Sequence, residues 1–241
     1  AALFRWLCEW NVAHADDRVH FFGFDAQQPV ADLAEIAAYA ATHAVTTTAL
    51  DGCDDGTFES YDATMYAACM AAIDAVEAEL AGAGDARAQA ELALSFRSLR
   101  SWQGQSLHRT TNTKRSWEAR DIAMADLFLA RMALDFAGQR AIVWAHNYHL
   151  AADHPAIRRT GFAAQAATLG SELRTRVGDA YQAVAITAYR PWINWPGVGE
   201  NVVTELGTPS NAIERALYEN FDDPVLLYDV ASEWAPGDAE W

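Results

Sequence analysis

Gln139-Arg140-Ala141-Ile142-Val143-Trp144-Ala145-His146-Asn147-Tyr148-His149 runs from a short apolar stretch into two imidazoles three positions apart. Residues 139–145 predict a buried strand, being short, apolar and preceded by Gly138. On a continuing strand His146 and His149 would face opposite sides, because side chains alternate. A turn or incipient helix starting at Ala145 instead brings positions three apart onto one side, where both rings can address one substrate atom. An unperturbed imidazole, with a pKa of about 6.5, can move protons at neutral pH.

Upstream of this stretch, Trp117, Arg120, Asp121, Met124, Leu127, Phe128 and Arg131 recur at threes and fours, which predicts a helix from just after Asn112 to near Gly138. Downstream, residues 162–177 predict a helix closed by Gly178, residues 181–188 an uncharged third strand, and residues 224–229 a fourth. Nearer the start, residues 2–15 are amphipathic and helical. Residues 18–24 are β-branched and aromatic and predict a strand whose C-terminal end carries Asp25. Pro29 suits the first turn of a helix, which the alanine-rich residues 30–43 continue. Residues 46–58, with their Asp-Gly turns, predict a connection.

Residues 61–80 and 85–107 predict two long helices joined by Ala81-Gly82-Ala83-Gly84, an αα-hairpin. Such a pair is either a cap carrying Tyr66, Phe96, Arg97, Arg100 and Trp102, or ordinary helix-to-helix core. Strands alternating with helices predict an α/β fold, with a central, mostly parallel sheet flanked by helices and a helical lobe inserted. The expected organisation is a first part of the α/β core over 1–58, the helical lobe over 59–112, and the second part of the core with the histidine turn over 113–241. Ligands of such sheets sit beyond the strands' carboxyl ends. That rule selects Asp25, the turn at 146–149, and the loop 189–195.

With 241 residues, 51% of them hydrophobic, the chain can bury a sizeable core. Its formal net charge of -16, with only 17 basic residues, opposes a nucleic-acid partner, because phosphate binding needs clustered Lys and Arg. No apolar run approaches the roughly 20 residues of a membrane-spanning helix. Cys8, Cys53 and Cys69 are odd in number and widely spaced, which is neither a disulfide framework nor a paired zinc pattern, so a reducing cytoplasm is expected. Ala1 leads directly into Leu3-Phe4-Arg5-Trp6-Leu7 without a charged-then-apolar leader, as though something upstream has been removed.

The two histidines have a plainer reading as satisfied side chains capping a strand. Another reading makes them metal ligands with Asp153 or His154, although the spacing is not that of a strong zinc signature. Arg120 is a permanent cation suited to a carboxylate or to charge growing on a carbonyl oxygen, and its plainer reading is a surface ion pair with Asp121. In Tyr189-Arg190-Pro191-Trp192-Ile193-Asn194-Trp195-Pro196-Gly197, aromatics and prolines suit either an apolar wall for a bulky ligand, with Trp192 in contact, or a packed connector. No serine sits in a G-x-S-x-G elbow and no cysteine has an evident catalytic partner, so a covalent acyl-enzyme is not expected.

Taken together, these segments resemble the erythromycin esterase family. Arg18-Val19-His20-Phe21-Phe22-Gly23-Phe24-Asp25 is similar to the family's R-V-x-F-Y-G-F-D strand, and Arg120-Asp121-Ile122-Ala123-Met124-Ala125 to its R-D-x-x-M-A helix. Val143-Trp144-Ala145-His146-Asn147-Tyr148-His149 is similar to its V-x-W-A-H-N-x-H turn. Leu169-Gly170-Ser171-Glu172-Leu173, followed by Gly178-Asp179-Ala180-Tyr181, is similar to its M-G-x-x-L and G-D-x-Y segments.

The resemblance implies a hydrolase that cleaves a carboxylic ester or macrolide lactone with histidine-activated water. It implies Arg120, His146 and His149 as cleft residues that hold the ester and assist hydrolysis, with Asp25, Asn147 and Trp192 expected to contact substrate. No cofactor and no metal is assigned. The alternatives are a small-molecule or haem-binding module using the same histidines, and a metal-dependent hydrolase. One departure stands out. The family's G-E-x-x-H-G-x-x-E segment, with the histidine that activates water, has no counterpart, because none of His14, His20 and His43 has the required neighbours. The expectation is a family domain without its first strand and helix units, whose missing groups come from elsewhere or whose esterase chemistry is lost.

Overall fold

A computed structural model describes residues 2–27, 29–54, 61–109, 112–152, 167–183, 192–194 and 203–205. Their order is α1 (Ala2–Ala13), α2 (Val30–Thr42), a 3-10 turn (Thr48–Leu50), α3 (Ala63–Leu80), α4 (Ala86–Arg109), α5 (Thr113–Asp135), α6 (Asn147–Leu150), α7 (Leu169–Val177), a second 3-10 turn (Gly178–Ala180), β1 (Trp192–Asn194) and β2 (Val203–Glu205).

Local chemistry explains where the long helices begin and end. The Asp62 carboxylate accepts from the amides of Thr64 and Met65 at the start of α3, and the Asn112 side chain accepts from the amide of Arg115 at the start of α5. These caps satisfy amides that have no partner within the helix. The α3–α4 hairpin turns at Gly82 and Gly84, with φ of 78° and 72°, a region that a Cβ disfavours.

Helix α4 is the central packing element. Its Leu92, Phe96 and Leu99 close on Ile36 and Ala40 of α2, on Ile73, Val76 and Leu80 of α3, and on Leu50. Phe96 is fully buried there and Trp102 nearly so, which makes both part of the helix-to-helix core. Arg100 lies over the Phe96 ring and pairs with Asp74 and Glu77 of α3. One side of α5 packs Ala123 and Leu127 against Leu94 and Ala26. Another side packs Met124 and Ala125 against Leu169 and Leu173 of α7.

The expected central, mostly parallel sheet is not what the described residues form. They are predominantly helical, and β1 and β2 are a short antiparallel pair with Trp192 opposite Glu205 and Asn194 opposite Val203. Residues 18–26 and 139–146 carry no regular secondary structure and join no ladder. Their composition misleads for a physical reason: a strand needs a neighbour's amides and carbonyls, which lie outside its own sequence. Both segments rest on α5 through side chains instead. Phe22 stacks on Phe128 and Phe136, Phe24 meets Phe128 edge-on, and Val143 joins the Met124 cluster. Burial alternates only at the segments' ends, where Phe22 and Phe24 are partly buried around exposed Gly23, and Val143 and Ala145 are partly buried around Trp144, which is 83% exposed. Val19 is tied to α1, where the Asn11 amide both donates to its carbonyl and accepts from its N–H. The expected third strand beyond Ala183, and the fourth at 224–229, lie outside the described residues.

The cysteine expectation is also corrected. Cys53 and Cys69 form a disulfide with Cα atoms 5.6 Å apart, and Cys8 is free and exposed. Such bonds persist in oxidising surroundings, so the cysteines no longer argue for a reducing compartment. Among the described residues, no helix is long and apolar enough to cross a membrane.

Candidate functional site

Two neighbouring residues of α5 organise the candidate site. Arg120 reaches Asp25, 95 residues away in sequence: Nε donates to Oδ1 at 2.9 Å and Nη2 to Oδ2 at 2.7 Å. This two-pronged geometry matches the planar guanidinium to the carboxylate. With its carbonyl turned towards Arg120, the Gln27 amide accepts from Nη1 at 3.0 Å and from Nη2 at 3.1 Å, and donates to Asp25 Oδ2 at 3.3 Å. Arg120 is therefore fixed by Asp25 and Gln27 and not by its neighbour Asp121, the surface pair considered from sequence.

Asp121 points elsewhere. It has no solvent exposure, and its Oδ1 lies 2.6 Å from Nδ1 of His149. Its Oδ2 accepts from the amide of Leu169 at 3.2 Å, at the start of α7. A buried carboxylate needs such partners. The open end of α7 also presents positive partial charge. One carboxylate thus joins α5, α6 and α7.

The expected turn after Ala145 is present as the short helix α6. His146 occupies its N-cap, where ring Nδ1 accepts from the amide of Tyr148 at 3.1 Å, and the amide of His149 donates to the His146 carbonyl at 2.8 Å. His146 is exposed and His149 half-buried. Four residues do not make a stable helix alone, so α6 depends on its surroundings. Tyr181 Oη donates to the Leu150 carbonyl at 2.6 Å, and Thr168 Oγ1 to that of Ala151 at 2.7 Å. Thr168 also closes a reciprocal capping box with Ser171. The Tyr148 ring lies between those of Trp117 and His149. Burial, then the charges of Asp121 and Glu118, push its hydroxyl pKa upward, which keeps it protonated.

Of the sequence-predicted residues, Asp25 and Arg120 meet directly, and His146 and His149 share α6. Histidine 149 connects to Arg120 through the adjacent Asp121. The side chains of Asn147 and Trp192 lie outside the described residues, as do Asp153 and His154. Among the described residues, no three His, Cys, Asp or Glu side chains gather as a possible metal-holding group. Sequence reasoning missed the buried role of Asp121 and the part played by Gln27. A signal for Asp121 was present: it falls on the stripe formed by Trp117, Met124, Ala125 and Phe128, where a charge must be compensated.

The segments that carry the family resemblance also meet in space. Phe24, Met124, Ala125, Val143, Leu169, Leu173 and Tyr181 all belong to or pack on one cluster. The family model for erythromycin esterase matches residues 1–235. The chain belongs to the erythromycin esterase family. No curated protein and no solved structure matches it. Each recognisable erythromycin esterase segment thus contributes side chains to the cluster that supports α6 and its two histidines.

Proposed function

We propose that the chain is a carboxylic ester hydrolase of the erythromycin esterase type, acting on an ester or macrolide lactone with water activated by a histidine. The observation that carries the reading is the 2.6 Å hydrogen bond between buried Asp121 and His149, one residue along α5 from the Asp25-bound Arg120. It supplies an imidazole oriented by a carboxylate, and the preceding residue of α5 is a cation fixed by Asp25, groups that carbonyl hydrolysis can use. Membership of the family supports the reaction class.

In the proposed reaction, water adds to the carbonyl carbon and passes a proton to an imidazole nitrogen, a role that falls to His149 here because the family's water-activating histidine has no counterpart in residues 1–241. The carbonyl π electrons move onto oxygen, where the positive charge of the Arg120 guanidinium is proposed to offset the negative charge. Collapse re-forms the carbonyl and breaks the bond to the alkoxy oxygen, which takes up the proton. An acid and an alcohol result, or a hydroxy acid from a lactone. Asp25 serves here by fixing Arg120, and Asn147 and Trp192 are the proposed substrate contacts. No acyl-enzyme is required.

Hydrolysis of erythromycin and of p-nitrophenyl acetate by the wild type, His146→Ala and His149→Ala tests the assignment. Loss of a proton-transfer group costs about 100-fold or more in rate. Near-normal turnover by both variants would remove the histidines from the mechanism.

A further inference from the structure

We infer that Asp121 is a positioning residue that fixes the tautomer of His149, and that the helix cap fixes the opposite tautomer in His146, so that the two rings hold different roles. This rests on the hydrolase reading for its chemistry, but its structural content stands on hydrogen-bond partners alone.

A neutral imidazole has one nitrogen that donates and one that accepts. Nδ1 of His149 faces a carboxylate oxygen at 2.6 Å, and two lone pairs would repel at that distance, so a proton lies between them. Asp121 favours the arrangement in which the ring holds that proton. Its other oxygen already accepts from the Leu169 amide at the start of α7, a partner that stabilises the anion. With the hydrogen on Nδ1, Nε2 of His149 carries a lone pair. This is the end of the ring that can take a proton from water.

His146 faces the reverse constraint. Its Nδ1 meets the backbone N–H of Tyr148 at 3.1 Å, and an amide nitrogen can only donate. That ring nitrogen must therefore be the acceptor, and the hydrogen of the neutral ring sits on Nε2. His146 thus offers an N–H outward from the exposed end of α6. Such a group donates to a carbonyl oxygen or to the departing alkoxide, whereas His149 accepts. Two histidines that look equivalent in sequence are made a donor and an acceptor by one carboxylate and one amide.

Nitrogen-15 NMR of ring-labelled protein, at a pH where the histidines are neutral, reads the tautomers without reference to any substrate. The expected result is hydrogen on Nδ1 in His149 and on Nε2 in His146. Asp121→Asn supplies a side chain that can donate to Nδ1, so His149 should switch to the Nε2-hydrogen form. Turnover of p-nitrophenyl acetate should then lose about 100-fold or more in kcat with little change in KM, in line with loss of an orienting carboxylate. In the His149→Ala background, Asp121→Asn should cost almost nothing more, because the residues act as a unit.

Hydrogen on Nε2 of His149 in the wild type would overturn the inference, and so would full additivity of the two substitutions. If Asp121→Asn fails to fold, the wild-type spectrum decides. If the wild type hydrolyses neither p-nitrophenyl acetate nor erythromycin, the hydrolase reading falls while the spectrum still judges the tautomers.

Discussion

Asp32 of α2 shows how one carboxylate sets a pH dependence unrelated to catalysis. Burial against α4 pushes its pKa up to about 6, the neighbouring Glu35 adds to the rise, and the Ser98 hydroxyl, donating at 2.7 Å, opposes it. The folded state therefore holds the Asp32 proton more tightly than the unfolded chain does, for which 3.8 is the ordinary value. The stability this provides is complete below about 3.8 and is lost as pH rises through about 6. Asp32→Asn removes that loss. Because the site is partly exposed, the expected gain at pH 8 is only about 1 kcal/mol. Urea unfolding at pH 8 and pH 4 checks it, and an equal gain at both values would reject the account. Among single residues, the candidate site was partly legible. His146 and His149 stand out by type and by their place after an apolar run, and Arg120 through the family resemblance of its helix. Asp25 was singled out by its place at a segment end, but its pairing with Arg120 and the part of Gln27 could not be read, because helical spacing relates only near neighbours and carries nothing about a contact 95 positions away.

Helices were legible where a periodic face and a cap agree. Asn112, the Gly82 and Gly84 turn and Gly178 punctuate α4, α5 and α7 much as the sequence indicates, and the structure adds Asp62 as the cap of α3. The strands were not, because residues 18–24 and 139–145 carry the alternation of a strand while pairing is decided elsewhere in the chain. Helix α6 is legible only as a turn, since what stabilises it comes from α5, α7 and Tyr181. Gly170 of α7 lies against its end, where a Cβ would fall on the carbonyls of Leu150 and Ala151. These are backbone atoms already bonded to Tyr181 and Thr168, so they cannot give way cheaply. Gly170→Ala should cost about 1–3 kcal/mol, as overpacking does. It should also loosen the turn that carries both histidines, lowering ester turnover beyond what the stability loss alone predicts. Thermal unfolding and p-nitrophenyl acetate hydrolysis measured side by side test this. A variant with wild-type Tm and rate would mean that α7 does not approach α6 this closely.

The chain joins its helical body to the histidine turn through α5, with one side of that helix on α4 and another on α7. Stability of the α2–α4 body therefore bears on the whole molecule, and the Cys53–Cys69 bond is its one covalent clasp among the described residues. The turn around Cys53 is held twice: by sulfur to α3, and by the Gln103 amide of α4, which donates to the Cys53 carbonyl at 2.8 Å. Gln103 is itself buried and bonded to the Tyr61 hydroxyl, whose pKa burial pushes up to about 12. A bridge across a separation of 16 residues stabilises mainly by restricting the unfolded chain. Reduction should therefore lower unfolding free energy by about 3 kcal/mol, with less change in the native contacts of Leu50 and Ile73. Adding a reductant that leaves the helices intact should reduce Tm. The Cys53→Ser, Cys69→Ser double variant should start from that lower Tm and show no further response. A wild type insensitive to reductant, and matched in Tm by the double variant, would mean that the thiols stay apart in solution and that the α3–α4 packing holds this turn unaided.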